Sequence, residues 1–135
     1  SIKPESFSVF SGNDDQTLPI LSLGADGEIS VFSNAFPAEK VKLIDAILND
    51  DYDAARDFQR KQAKMVDLLF SETNPSPIKF LMSELGFCKN VLRLPLSKVS
   101  TKTQELIREE IKKGFYKIYK PEKYNSKKIS LLKVS

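Results

Sequence analysis

Two adjacent carboxylates, Asp14 and Asp15, follow a glycine and an asparagine in Ser11-Gly12-Asn13-Asp14-Asp15. Paired carboxylates can divide acid and base duties or hold a divalent cation. Consecutive side chains at the end of an extended segment diverge, however, so the simpler reading is that one of them caps the helix that follows. Lys79 is a candidate amine nucleophile, yet its place at a helix start beside Pro75 and Pro77 favours a structural role, such as pairing with an acidic neighbour. Cys88 is the single cysteine, and the chain has no histidine to activate it, so it reads as a small hydrophobic filler or idle thiol. A lone thiol also excludes an internal disulfide and a cysteine-based zinc site, and the lack of histidine removes the usual general base and metal ligand. Much familiar enzyme chemistry is thereby removed.

The elements that would position such groups must come from 135 residues, 41% hydrophobic and 29% charged, the balance of one globular domain at most. No window approaches the roughly eighteen uncharged apolar residues of a membrane helix, and the start lacks the layout of a secretion signal. A cytoplasmic protein that avoids membranes is expected. Charge is lopsided: residues 1–110 hold 13 Lys/Arg against 17 Asp/Glu, whereas residues 111–135 hold 8 against 1. The net +3 therefore belongs to a basic tail. That tail, residues 112–135, interleaves lysines with Phe115, Tyr116, Tyr119 and Tyr124, a composition that can bind single-stranded nucleic acid. No RNA-binding signature accompanies it, and nucleic acid is not the expected partner.

Phe7 to Ser11 is short, β-branched and aromatic and stops at the turn cluster Gly12-Asn13-Asp14-Asp15, which predicts a strand. A helix is predicted through Leu18, Ile20, Leu21 and Leu23 with Gly24 as its stop, and a second strand over Glu28 to Phe32. Strand, helix and strand at this spacing form one βαβ unit with parallel strands. From Pro37 the pattern is helical: a stripe of Val41, Ile44, Ala46, Ile47 and Leu48, then a long helix carrying Tyr52, Ala55, Phe58, Gln62, Met65, Val66, Leu69 and Phe70. Asn74-Pro75-Ser76-Pro77 breaks it, Ile78 to Leu85 makes a shorter helix stopped by Gly86, and Arg93-Leu94-Pro95-Leu96 predicts an extended connector. A last helix begins near Thr101, runs through Leu106, Ile107 and Ile111, and weakens at Gly114. Two parallel strands alone leave unpaired edges and faces, so the chain is expected to be part of a larger α/β sheet or barrel.

Ser11-Gly12-Asn13-Asp14-Asp15, Gly24-Ala25-Asp26-Gly27-Glu28-Ile29-Ser30-Val31, Asn34, Asn74-Pro75-Ser76-Pro77-Ile78-Lys79 and Arg93-Leu94-Pro95-Leu96 together resemble the C-terminal half of the dihydrodipicolinate synthase family, from about Phe7 to Ile111. The resemblance implies an α/β fold: the C-terminal part of a (β/α)8 TIM barrel with its last two strands in residues 1–35, the last barrel helix and a helical appendage in 36–111, and the basic tail after that. It implies a homotetrameric enzyme that condenses pyruvate with aspartate semialdehyde through a lysine imine in lysine and diaminopimelate biosynthesis, without metal or organic cofactor. The imine lysine lies on the sixth strand and its proton-relaying partners on earlier ones, so none falls in this chain, which alone is expected to be inactive. Gly12 and Ile29 correspond to positions lining the bound pyruvate. The missing N-terminal half of the barrel is then the expected partner. Sialic acid lyase and keto-deoxy-gluconate aldolases share the imine chemistry and are alternatives, as is a non-catalytic truncated or split protein that docks on a barrel partner.

Overall fold

A computed structural model describes Pro4 and residues 6–116. Two short strands, β1 (Phe10–Ser11) and β2 (Gly27–Glu28), pair in parallel, Phe10 opposite Gly27 and Ser11 opposite Glu28. The pairing extends one bond either way, since Asp26 N–H donates to Val9 O at 2.8 Å and Ile29 N–H to Ser11 O at 2.8 Å. Both strands are shorter than their sequence pattern predicts. Phe7 N–H turns back to Pro4 O, and at the other end the Asp14 carboxylate takes the amides of Val31 and Phe32. That capture drops Val31 into helical geometry and starts a 3-10 turn at Phe32–Asn34 where strand was expected.

The connection between the strands is a 3-10 turn (Asp14–Gln16) running into α1 (Thr17–Ser22). Pro19 is tolerated because the first-turn amides of a helix have no intrahelical partner to lose, and Gly24 ends the turn at φ +93°, a left-handed value open to glycine. Three further helices, α2 (Pro37–Leu48), α3 (Tyr52–Phe70) and α4 (Ser76–Glu84), precede α5 (Thr101–Lys112). Asp51 caps α3 by accepting from Ala54 N–H, and Ser100 caps α5 by accepting from Thr103 N–H. Of the predicted stripe of α3, Ala55, Gln62, Met65, Val66 and Leu69 are buried, joined by Leu68, while Phe58 is half-buried and Phe70 lies 41% exposed at the helix end. In α2 the stripe is rotated from the expectation: Lys40, Leu43, Ala46 and Ile47 face inward, and Val41 and Leu48 face out.

The main core gathers Phe32, Phe36, Met65, Leu69, Leu81 and Ile107 around α3. A smaller one joins Leu21, Leu43, Ala46, Ile47 and Ala55 under α1. Tyr116 belongs to the main core rather than to a solvated tail. Gly114, at φ +71°, redirects the chain so that the Tyr116 ring stacks on Phe36 at 4.5 Å and its hydroxyl donates to Lys61 O or the Glu110 carboxylate. The Arg93–Leu96 segment is a turn instead of an extended connector: Leu96 N–H closes on Arg93 O at 3.0 Å, with Leu94 exposed between them. Of the basic tail, residues 117–135 lie outside the described residues, and so does most of the predicted lysine–aromatic interleaving.

Candidate functional site

The site is best built from the pleat of the β1–β2 pair, because successive side chains on a strand point to opposite faces. On one face Ser11 and Glu28 turn toward the helices, and both side chains are buried. On the other face Phe10 and Ile29 are 53% and 71% exposed, and a side chain added at Gly12 would meet nothing within 4 Å. Gly27 lies under the Phe10 ring, which would sit 2.9 Å from any Cβ there, so glycine is what lets the ring lie flat across the strands. Gly12 follows Ser11 and Ile29 follows Glu28, and the Ile29–Ser11 bond joins the two strands at this level. The two predicted lining residues are therefore neighbours on the uncovered face, just past the C-terminal ends of their strands.

The covered face holds a charged cluster. Lys40 Nζ, from α2, lies 2.9 Å from Asp14 Oδ1, 3.3 Å from Glu28 Oε2 and 3.2 Å from Thr17 Oγ1. Asp14 also accepts from Ser30 Oγ at 2.5 Å, Val31 N–H at 2.9 Å and Phe32 N–H at 3.0 Å. Burial alone would raise the Asp14 carboxyl, but the hydrogen bonds from Ser30, Lys40 and the Phe32 amide, with the Lys40 charge, outweigh it and hold Asp14 below its ordinary value. Glu28 goes the other way: burial and the Asp14 charge push it above its usual value despite Lys40. One cation thus serves two carboxylates.

This arrangement corrects two sequence-based expectations. Asp14 is not a cap of α1, whose flanking side chains make no capping bond; it is buried and spans to the segment after β2, while Asp15 is exposed. Lys79 forms no ion pair among the described residues, so the expected acidic neighbour is absent. It instead lines an open cavity of about 290 Å³ with Asn34, Asn74 and Cys88. Cys88 is exposed and packs as no filler. Sequence reasoning missed Lys40 and Glu28. Their signal was periodic: Lys40 stands three and seven residues before Leu43 and Ile47 on the inward stripe, and Glu28 shares its pleat face with Ser30.

The uncovered face is the clue to kinship, since parallel strands are ordinarily buried on both faces within a larger α/β sheet or barrel. A model of the dihydrodipicolinate synthetase family matches residues 2–114. The chain belongs to that family. The 4-hydroxy-tetrahydrodipicolinate synthase of Kosmotoga olearia is 43% identical over 108 residues, 80% of this chain and 36% of the relative. The crystal structure of dihydrodipicolinate synthase from Aquifex aeolicus is 41% identical, with a TM-score of 0.81 covering 87% of this chain and 40% of that one. The chloride-inhibited dihydrodipicolinate synthase of Acinetobacter baumannii, solved complexed with pyruvate, is 32% identical with a TM-score of 0.75, covering 78% of this chain and 36% of its own. The chain spans little more than a third of the curated relatives it matches. Its fold is the C-terminal part of the family's (β/α)8 TIM barrel, the last two parallel strands with a helical appendage.

Proposed function

We propose that this chain supplies one wall of a pyruvate site in a 4-hydroxy-tetrahydrodipicolinate synthase, a lyase of lysine and diaminopimelate biosynthesis that condenses pyruvate with aspartate semialdehyde. The observation that carries the reading is the uncovered sheet face, where Gly12 offers backbone with open space above it and Ile29 offers an apolar side chain. In such barrels reacting groups gather at the C-terminal ends of strands, which is where these two residues stand. Pyruvate bound in the Acinetobacter baumannii relative supports the choice of substrate.

The reaction needs an amine that is neutral when it attacks the pyruvate carbonyl. Lys40 is the buried lysine of the described residues, and it is unsuited by position: it is engaged by Asp14 and Glu28 on the helix-covered face, away from Ile29. On the family resemblance the imine lysine belongs to the N-terminal half of the barrel, supplied by another polypeptide or by the rest of a longer one. The reading includes a cytoplasmic homotetramer that uses no metal or organic cofactor. Among the described residues no helix is long and apolar enough to cross a membrane.

The test is reconstitution. This chain mixed with the N-terminal half of a family barrel is expected to consume aspartate semialdehyde only when pyruvate is present, and neither half should do so alone. Stable association without turnover would instead favour a non-catalytic docking protein, a role for which the exposed Phe7, Phe10 and Ile29 also provide surface.

A further inference from the structure

Three charges are buried within one small cluster here, although taking ions out of water costs several kcal/mol each and an apolar trio of similar volume is often as stable. The cluster's connections suggest what it does instead. Glu28 is held by Lys40, Ser30 by Asp14, and the amides of Val31 and Phe32 by Asp14 again. Ile29 sits between Glu28 and Ser30, its own N–H bonded to Ser11 O and its side chain on the opposite face. Its sequence neighbours on both sides are therefore tied to groups from two separate elements, the turn before α1 through Asp14 and α2 through Lys40, whose ammonium also bonds Thr17 of α1.

We propose that Asp14, Lys40 and Glu28 form a positioning clamp that fixes Ile29 and the turn after it against the helical shell, so that the apolar wall of the site is set from behind the sheet. The clamp rests on the reading that Ile29 lines the pyruvate site, and none of its three members touches substrate. Lys40 acts through the backbone of Glu28, and Asp14 through Ser30 and the two amides. The sharing of one ammonium between two carboxylates makes the geometry directional, because Lys40 can satisfy both only when β2 stands at one height against α2.

The test compares Glu28→Gln, Asp14→Asn, Lys40→Met and Lys40→Arg in the full 135-residue chain, read by amide exchange and methyl NMR. Glu28→Gln and Asp14→Asn are the near-isosteric variants that keep the experiment readable should Lys40→Met unfold the chain. The Ile29 methyl reports the wall, and the buried Ile78 and Ile107 methyls report the rest of the fold. Expected are a displaced Ile29 resonance and protection of the Val31 and Phe32 amides lowered by about tenfold or more, with Ile78 and Ile107 in place; Lys40→Arg should restore part of both. An Ile29 signal that stays put in every folded variant, or one that moves only together with Ile78 and Ile107, would overturn the clamp. A second arm uses the same variants in the barrel completed with an N-terminal half, where KM for pyruvate should rise by about tenfold while kcat changes less. If the wild-type chain takes no pyruvate there but the NMR result holds, the functional reading fails and the clamp stands. A normal wild-type KM that none of the variants changes defeats the clamp as a device for substrate positioning.

Discussion

On one side of the β1–β2 pair, the Ser11 and Glu28 side chains are buried, and the Glu28 carboxylate meets Lys40, whose ammonium also bonds Asp14 and Thr17. On the other side, Phe10, Gly12 and Ile29 meet open space. The two faces differ in what holds them. The covered face is fixed by charge-assisted hydrogen bonds that lose most when one partner is removed, whereas the open face contributes little to this chain's stability and, on the proposed function, lines what the finished barrel binds. A residue's worth to the fold and its worth to the proposed chemistry are thus separated by a single step along the strand.

The sharpest way to break that contrast is Lys40→Met. It strands two buried carboxylates, and by analogy with other broken buried ion pairs it should cost about 3–5 kcal/mol, measured by denaturant unfolding. Adding Glu28→Gln to the same chain should recover part of the loss, because one stranded charge is gone. A loss below about 1 kcal/mol for Lys40→Met would mean that solvent reaches the cluster. Next in size is Tyr116→Phe, which removes the hydroxyl bonded to Lys61 O and Glu110 but keeps the ring on Phe36; about 1 kcal/mol is expected by the same measurement.

The covered face also has a pH signature. Asp14 is held below its ordinary value of 3.8, so its contribution to stability is present above that value and is lost as pH falls through its lowered one. Glu28 is raised above 4.5, so the folded state keeps its proton more tightly than the unfolded chain does, and stability declines as pH rises from 4.5 through the raised value. Glu28→Gln should abolish the second decline and leave the first, a result that urea titrations across the acid range would show. On the open face, Ile29→Ala should change stability by no more than about 0.5 kcal/mol while weakening pyruvate binding in the completed barrel. The smallest effect is expected for the exposed Arg108–Glu84 pair: its removal by Glu84→Gln should matter only at low salt.

The sequence made the open face easier to foresee than the covered one. Gly12 and Ile29 rest on the family resemblance alone, and α3 and α5 follow from apolar periodicity with Asp51 and Ser100 at their starts. Lys40 did not, because a helical lysine is ordinarily a solvated one, and nothing local marks it as facing two carboxylates 12 and 26 residues earlier. Asp14 was misjudged for the same reason: a carboxylate beside a helix start has a ready local partner in the helix amides, and here the distant amides of Val31 and Phe32 win. Tyr116 escaped notice because its place in the core depends on the Gly114 turn, not on any stripe.

The central claim, that this chain shapes a pyruvate site whose reactive amine lies elsewhere, is tested most directly by borohydride reduction in the presence of pyruvate, followed by intact mass of each polypeptide. The account expects this chain to keep its mass, alone and in the completed barrel, while the complementary half gains a reduced pyruvyl group. A pyruvyl adduct on any lysine of this chain, Lys40 included, would contradict it.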